Sequence, residues 1–337
     1  MAEHLPQPLL DALAARAHEA ATHWELENAQ PTLLKYRENA VFRITLADGE
    51  PAALRLHRPG YHDEAALRSE LQLMTALRES GLAVPSAVAT PGGHLLVSLE
   101  PTDTFAGQHA DIVSWMPGAP LGESGVPLAY SGARQIAIFH ALGVMMADMH
   151  DLADRWSVPS GFKRAAWDVE GLLGDRPVWG RFWDCDGLSN EQKLGLCDLR
   201  TQLRRIFDAM SDNELDYGLI HADLVRENVL VQGDGVAFID FDDAGFGFRL
   251  FDIATALLKN RNEPNYEAIE RSLISGYRSR RPLTDASLST LPIFTTLRCL
   301  TYIGWFAERP ELPGARPRVR RYADDALQLA QALPALA

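Results

Sequence analysis

Four polar side chains stand on two short apolar segments in the second half of the chain. They are His221, Asp223, Asn228 and Asp240. The apolar runs 229–231 and 236–239 are joined by a Gly-containing turn, which predicts a β-hairpin with Asn228 and Asp240 at the same end. Mg²⁺ prefers oxygen ligands such as these, and Asp223 is a carboxylate that can accept a proton from a hydroxyl. The set therefore indicates phosphoryl transfer, which depends on metal ions and on positioning of the attacking hydroxyl.

The spacing of these residues matches the catalytic loop of kinases, in which a His-x-Asp is followed five residues later by an Asn. Asp and Asn at strand ends are also ordinary turn formers, so the functional interpretation depends on the spacing and the hairpin occurring together. The segment resembles the aminoglycoside phosphotransferase-like family, which has a protein-kinase-like fold and includes antibiotic, choline and homoserine kinases. The residues that carry the resemblance are His221, Asp223, Asn228, the run 239–241 and Asp252.

The resemblance implies a role for each matching residue. Asp223 would be the catalytic base, and Asn228 and Asp240 would bind the metal. His221 would support the loop structurally, and Asp252 would brace it from behind. A further acid, Asp242, lies close enough in sequence to approach the metal or the substrate.

Composition limits the classes of function and partner. The chain has 337 residues, a net charge of −13 and three cysteines without a metal-binding spacing. The acidic balance argues against a nucleic-acid partner, because phosphate backbones require basic surfaces. No signal segment and no apolar run of about 20 residues is evident, so we expect no membrane association and a cytoplasmic location. The composition does not indicate an oligomeric state.

The order of elements predicts an α+β chain with two lobes. We expect a helix at 8–22, strands at 32–36, 41–47 and 51–57, a helix at 63–80, and strands at 94–99 and 111–115. Helices follow at 133–152, 190–210, 249–260, 263–279, 284–308 and 316–334, whereas 162–181 is expected to be irregular. The prediction is a small antiparallel β lobe that binds nucleotide (1–113) and a larger, mainly helical lobe for catalysis and acceptor binding (114–337), with the site in the cleft between them.

An ion pair is predicted in the first lobe. Strand periodicity places Arg55 on the face opposite Leu54 and Leu56, and helical periodicity places Glu70 in an apolar stripe. A carboxylate there is costly unless it is paired, and Arg55 is the natural partner. Arg55 would then hold nucleotide phosphate, as the paired Lys does in protein kinases. A purely structural salt bridge is the alternative, with Lys35 as the substitute cation.

Two further segments are candidates for nucleotide contacts. The loop 36–40 contains no glycine, but 38–44 resembles the family's stretch at this place, which implies that Asn39 and the backbone close over the phosphates. An Asn favouring a turn is the plain alternative. The link between the lobes would read adenine through its backbone at Ser114 to Met116. The expected cofactors are ATP, or GTP, and Mg²⁺.

The acceptor is expected to be a small molecule. Only eleven residues separate Asp240 from Asp252, too few for the long activation segment of typical protein kinases. Val225 also stands where those kinases place a Lys. The predicted reaction is transfer of the γ-phosphate to a hydroxyl of an amino-alcohol, homoserine-like or aminoglycoside-like molecule. A Ser/Thr protein kinase of the bacterial stress-response type and a nucleotide-binding pseudokinase are the alternatives.

The acceptor pocket is expected in the helical lobe. Arg298, Tyr302 and Trp305 share one helix face, and Arg298 suits an acidic group on the substrate, which favours an amino-acid-like alcohol. Trp167, Trp179 and Trp183 are further candidates from this part of the chain. The alternative is that the aromatic residues are core and that Arg298 pairs with a surface acid.

Overall fold

The computed structural model describes residues 5–37, 39–210 and 215–333. The chain divides into two units. Unit 1 comprises the described residues up to Pro117 together with Trp156–Lys163, and unit 2 comprises Gly118–Arg155 and the described residues from Arg164 onwards. The predicted α+β class, with a small antiparallel β part and a larger helical part, is confirmed. The boundary at 113/114 stays a prediction about functional domains.

Unit 1 is built on an antiparallel five-stranded sheet of order β1-β2-β3-β5-β4. Its elements are α1 (Gln7–Thr22), β1 (Thr32–Tyr36), β2 (Asn39–Thr45), β3 (Pro51–His57), α2 (Glu64–Glu79), β4 (Val97–Leu99) and β5 (Gln108–Ser114). The alternation predicted for β3 is present, because Leu54 and Leu56 join the apolar core that contains Leu13 and Ala17 of α1. Arg55 consequently points away from this core.

The helix α2 begins with a side-chain cap and buries a carboxylate. The Asp63 carboxylate accepts the Ala66 N–H at 2.9 Å, as expected of an N-cap residue. Leu67 and Met74 are buried, and Glu70 lies among them with no exposed surface. The stripe predicted from the sequence is therefore present, and it fixes Glu70 inside the protein.

Unit 2 contains eight α-helices and six strands among its described residues. The helices are α3 (Gly132–Arg155), α4 (Val169–Leu173), α5 (Asn190–Ala209), α6 (Arg249–Leu258), α7 (Tyr266–Arg278), α8 (Asp285–Leu288), α9 (Leu291–Ala307) and α10 (Ala315–Leu329). The strands are β6 (Ala119–Pro120), β7 (Ala166–Trp167), β8 (Tyr217–Ile220), β9 (Val229–Gln232), β10 (Gly235–Phe238) and β11 (Gly245–Phe248). They form two three-stranded sheets, β10-β9-β6 and β7-β11-β8.

The helices α3 and α7 approach each other closely at two glycines. A Cβ at Gly143 would lie 2.0 Å from the Leu273 carbonyl oxygen, and a Cβ at Gly276 would lie 2.1 Å from the His140 carbonyl oxygen. Within the described residues, α3 is the one helix long and apolar enough to cross a membrane by length and composition. More than half of that apolar window is buried inside the protein, as in the core helix of a globular fold.

Two predictions about elements are wrong. The segment 284–308 forms two helices, α8 and α9, because Pro292 lacks an N–H and is tolerated only in the first turn, where α9 begins. The segment 162–181 is not wholly irregular, since it contains β7 and α4. Smaller differences concern strand ends: β5 begins at Gln108, before the predicted 111, and β4 begins at Val97, after the predicted 94. Residue 334 lies outside the described residues.

Candidate active site

In unit 1, Arg55 is held by two carboxylates rather than one. Its Nη1 lies 2.7 Å from Glu70 Oε1, which is the predicted pair. Its Nε and Nη2 also donate to Asp111 at 2.7 and 2.8 Å, a bidentate contact that the sequence did not indicate. His57 Nε2 lies 2.7 Å from the same Asp111 carboxylate. Arg55 and Asp111 are register partners on β3 and β5, which explains the contact.

Burial and charge shape this cluster together. Burial alone would raise the pKa of the Asp111 carboxyl, but the charges of Arg55 and His57 hold it below its ordinary value. Burial would lower the pKa of Arg55, but Asp111 and then Glu70 raise it well above its ordinary value. The guanidinium is therefore charged, with three of its five N–H groups engaged by carboxylates. Contact of Arg55 with a nucleotide phosphate stays a prediction.

The other residues predicted to contact nucleotide lie at strand ends. Asn39 is the first residue of β2, opposite His57, and its side chain is mostly buried. Its neighbour Glu38 lies outside the described residues. Ser114 ends β5, and its backbone N–H bonds the Ser86 carbonyl at 2.8 Å. Within the described chain no backbone–backbone hydrogen bond involves Met116, which is buried. The roles of all three residues stay predictions.

In unit 2, the backbone of the His221–Asp223 loop is clamped by Asp252 on α6. One carboxylate oxygen accepts the N–H of His221 at 2.9 Å, and the other accepts the N–H of Ala222 at 2.7 Å. Ala222 has φ 63°, a left-handed conformation that costs about 1–3 kcal/mol and persists only where the surrounding structure imposes it. The two bonds supply that constraint, and a bracing role of Asp252 in catalysis stays a prediction.

A buried histidine holds Asp252 in turn. His150 Nε2 lies 3.1 Å from Asp252 Oδ2, and His150 Nδ1 lies 2.9 Å from the Tyr277 hydroxyl. Burial, and then the charge of Arg249, lower the pKa of His150 to about 4, so the ring is neutral at pH 7. The neutral ring donates from Nε2 to the ionised carboxylate and accepts the Tyr277 O–H at Nδ1. The catalytic loop is thus tied through α6 to α3 and α7.

His221 lies inside the loop, and its role as a structural support of the catalytic residues stays a prediction. Its side chain is fully buried, and the Asp223 backbone N–H donates to its Nδ1 at 3.3 Å. Because Nδ1 is the acceptor, Nε2 carries the proton and donates to the Ile239 carbonyl at 3.1 Å. The ring therefore connects the loop to the end of β10.

The carboxylate of Asp223 is oriented by two side chains. Asn228 Nδ2 donates to Asp223 Oδ2 and to the Asp223 carbonyl, both at 2.9 Å. Arg298 Nη2 donates to Asp223 Oδ1 and also to the Tyr302 hydroxyl, at 3.0 Å for the latter. The Asp223 side chain keeps 22% of its surface exposed, whereas the Arg298 side chain has none. A substrate hydroxyl can therefore reach Asp223 while the carboxylate remains fixed.

The predicted hairpin places Asn228 beside the segment that carries Asp240. Val229 and Phe238 are partners in the β9–β10 ladder, and the Ile239 N–H bonds the Asn228 carbonyl at 3.0 Å. Asp240 is the next residue and has φ 68°, a further left-handed position at the edge of the site. Both residues thus lie at the open end of the hairpin.

The residues after Asp240 form a tight turn packed on aromatic side chains. The Arg164 guanidinium donates to the carbonyls of Phe241, Asp242 and Ala244. Asp242 is buried, so its backbone is fixed next to the hairpin end. This turn leads directly into β11, which leaves no room for a long activation segment.

Three residues predicted for the acceptor pocket lie on α9, and they differ in exposure. Arg298 and Tyr302 are buried next to Asp223, and Trp305 is partly exposed. The Arg298 guanidinium lies 4.6 Å from the ring centre of Trp179 and 4.5 Å from that of Tyr302. Arg298 therefore pairs with the candidate base rather than with a surface acid. A direct contact of these three residues with the acceptor stays a prediction.

Comparisons with known proteins identify the family. The model of the phosphotransferase enzyme family matches residues 32–283, about three quarters of the chain. The chain belongs to this family.

Similar sequences include a named kinase and a protein without a named activity. A homoserine kinase of Rhodopseudomonas palustris (strain TIE-1) is 31% identical over 244 residues, which cover 69% of this chain and 65% of that protein. An uncharacterised protein of Deinococcus radiodurans is 30% identical over 292 residues, 83% of this chain and 78% of that protein. This chain thus spans slightly less than two thirds of the homoserine kinase.

Solved structures agree with this assignment. A microcompartment-associated aminopropanol kinase superposes with a TM-score of 0.80 at 31% identity, covering 94% of this chain and 96% of that one. An amicoumacin kinase, solved in complex with AMP-PNP, Ca²⁺ and Ami, superposes with a TM-score of 0.74 at 22% identity, covering 93% of this chain and 92% of that one. The family and these relatives make the protein a kinase, as predicted.

The oxygen donors of unit 2 fit the divalent cation that kinases of this family use. Both N–H groups of the Asn228 amide face Asp223, so the carbonyl oxygen Oδ1 is the atom left for a cation. Asp240 follows on the adjacent strand end and adds a carboxylate. Among the described residues, no group of three or more His, Cys, Asp or Glu side chains forms a metal site. A hard cation such as Mg²⁺, bound by one carboxylate and one amide with phosphate and water completing its shell, suits this sparse set.

Sequence reasoning missed three polar residues that the fold brings to these sites. They are Asp111, His150 and Lys259, which contact Arg55, Asp252 and Tyr302 respectively. Asp111 stands in a strand already predicted, so the pairing of that strand with β3 would have found it. No local sequence pattern marked His150 or Lys259 as a residue of the candidate site.

Proposed function

We propose that this kinase transfers the γ-phosphate of ATP to the hydroxyl of a small molecule of the amino-alcohol, homoserine-like or aminoglycoside-like class. The observation that carries the proposal is the partly exposed Asp223 carboxylate, fixed through Oδ1 by Arg298 and through Oδ2 by Asn228. A fixed, accessible carboxylate is suited to orient an alcohol and take its proton.

Each remaining residue has a proposed part. Asn228 and Asp240 would hold Mg²⁺, which neutralises charge on the transferred phosphate. In unit 1, Arg55, braced by Glu70, and Asn39 would contact the nucleotide phosphates, and the backbone at Ser114 to Met116 would bind the base. Asp252 and His221 maintain the loop that presents Asp223. We place the reaction in the cytoplasm, where ATP is supplied.

Two observations favour a small acceptor over a protein. β11 and α6 follow Asp240 within nine residues, so the segment on which protein kinases dock a peptide is missing from this part of the described chain. The relatives with a named acceptor, homoserine kinase and aminopropanol kinase, act on small hydroxyl compounds by name.

The test is a panel of acceptors incubated with purified protein, ATP and Mg²⁺. Products would be identified as phosphate esters by ³¹P NMR. We expect an ester with at least one amino alcohol, hydroxy amino acid or aminoglycoside, and none when divalent cations are chelated. Phosphate found only on Ser or Thr of a protein, including the enzyme itself, would contradict a small acceptor. ATP binding without any product would favour a pseudokinase.

A further inference from the structure

Lys259 ends α6 in an aromatic environment close to the candidate base. Its Nζ lies 3.6 Å from the ring centre of Tyr302 and 4.7 Å from that of Tyr322, and it donates to the Tyr322 hydroxyl. The two tyrosine rings are stacked, with centres 5.0 Å apart. The amine is therefore held against the same tyrosine that contacts Arg298.

Lys259 forms no ion pair among the described residues. No described carboxylate lies within 4.0 Å of its Nζ, whereas each of four buried arginines has an acidic partner, namely Arg55, Arg226, Arg249 and Arg298. Burial, and then the charge of Arg298, lower the pKa of Lys259 to about 7. Lys259 is partly buried, and an ammonium there with no carboxylate in contact would be stabilised by an anion placed beside it.

Arg298 adds to this excess of positive charge. Its Nη2 contacts Asp223 and Tyr302, but its buried Nε and Nη1 have no hydrogen-bond partner within the described chain. Tyr302 therefore lies between two cations, one of which reaches the reacting carboxylate. The contacts thus run from Asp223 through Arg298 and Tyr302 to Lys259.

We propose that Lys259 determines acceptor specificity by receiving a carboxylate of the acceptor, so that the preferred substrates are hydroxy amino acids rather than simple amino alcohols. This inference rests on the proposed function and narrows its substrate class. It assigns Lys259 a contact with substrate, and it leaves Arg298 as the residue that positions Asp223.

The test uses two pairs of acceptors that differ only in a carboxylate. Homoserine is paired with 3-aminopropan-1-ol, and threonine with 1-aminopropan-2-ol. The wild type should have the higher kcat/KM for the carboxylate-bearing member of at least one pair. Lys259→Met should lower that value by about 10- to 100-fold, the size of one charge-assisted hydrogen bond, and should change the value for the other member by less than about twofold. Lys193→Met, which removes an exposed lysine of the same unit, is the matched control and should change neither.

A pH profile separates contact with substrate from a structural role. Charged and titratable groups near the amine are Arg298, Cys299, Asp223 and Glu227, with Tyr302 and Tyr322 in direct contact. KM for the carboxylate-bearing acceptor should rise as the pH passes above about 7 in the wild type, because the ammonium is lost. Lys259→Arg keeps its charge and should abolish that rise, and it provides the test if Lys259→Met does not fold.

The possible failures are distinguishable. Equal losses for both members of a pair, or a wild-type preference for the members without a carboxylate, would overturn the role of Lys259 and leave the kinase reaction intact. Turnover of aminoglycosides alone would likewise overturn the role of Lys259 and leave the kinase reaction intact. Absence of phosphate transfer to any alcohol would overturn the proposed function and this inference with it.

Discussion

His150 is a buried residue whose protonation state affects the catalytic loop without contact with it. The neutral ring bonds Asp252, and Asp252 bonds the backbone N–H groups of His221 and Ala222. Protonation would place a second donor against Tyr277 and a charge in a fully buried position. The orientation of the loop therefore depends on a histidine that remains neutral.

The pKa of His150 leads to a prediction about stability and pH. Its folded-state pKa of about 4 lies below the ordinary 6.5, so between these values the unfolded chain binds the proton and the folded chain does not. Stability from this group is complete above pH 6.5 and falls by about 3 kcal/mol as the pH drops to 4. His150→Gln replaces the ring N–H donor by an amide N–H donor and removes the titrating group. In urea unfolding, the variant should be less stable than the wild type at pH 7, and the difference should narrow towards pH 4. A constant difference would contradict the neutral state of His150.

The sequence predicted individual residues where a local pattern was sufficient. Helical periodicity placed Glu70 inside unit 1 and strand periodicity directed Arg55 towards it, and the pair is present. Asp111 contacts the same guanidinium from 56 residues away, and its partner depends on the pairing of β3 with β5. Arg298 lies 75 residues from Asp223, so no spacing rule could join them.

At the scale of elements, the contact between α3 and α7 supports the site from behind. Gly143 on α3 and Gly276 on α7 let the two backbones approach, and the same helices carry His150 and Tyr277. The spacing of the helices therefore sets the distance between the Tyr277 hydroxyl and the histidine.

Gly143→Ala should disturb that contact. Its Cβ would lie 2.0 Å from the Leu273 carbonyl oxygen and 2.7 Å from the Tyr277 nitrogen, so the helices must separate. We expect a loss of about 1–3 kcal/mol in the free energy of unfolding, and a lower kcat as Tyr277 moves. Gly132→Ala is the matched control on the same helix, because its nearest neighbour is 3.9 Å away. It should be neutral, or stabilising by up to about 1 kcal/mol. Equal stability of the two variants in urea unfolding would show that the helices do not need the glycine.

The bounds of helices and strands were predicted correctly where capping residues and periodicity agreed. The strands Thr32–Tyr36 and Pro51–His57 have the predicted bounds, and α2 begins after the Asp63 cap. The single helix predicted over 284–308 failed because its apolar pattern continues through a break that Pro292 marks. Pro292 was a local signal for the start of a new helix, but the continuous apolar periodicity favoured a single helix.

At the scale of the molecule, the fold class and the reaction class followed from the sequence, whereas the acceptor did not. The residues proposed for catalysis and metal binding lie within one hairpin and its flanking turns, so a linear motif contains them. The proposed acceptor side involves Lys259, Tyr302 and Tyr322, which come from the end of α6 and from α9 and α10 and are distant in sequence. The net charge of −13 opposes a nucleic-acid partner, and the exclusion of such a partner stays a prediction.

The most direct test of the central claim is turnover by Asp223→Asn with ATP, Mg²⁺ and the best acceptor of the panel. The substitution keeps the size of the side chain and removes the group that accepts the proton. We predict that kcat falls by about 10²- to 10⁴-fold while the Kd for ATP changes by less than about twofold. A variant that keeps wild-type turnover would contradict the assignment of Asp223 as the base of a phosphoryl-transfer site.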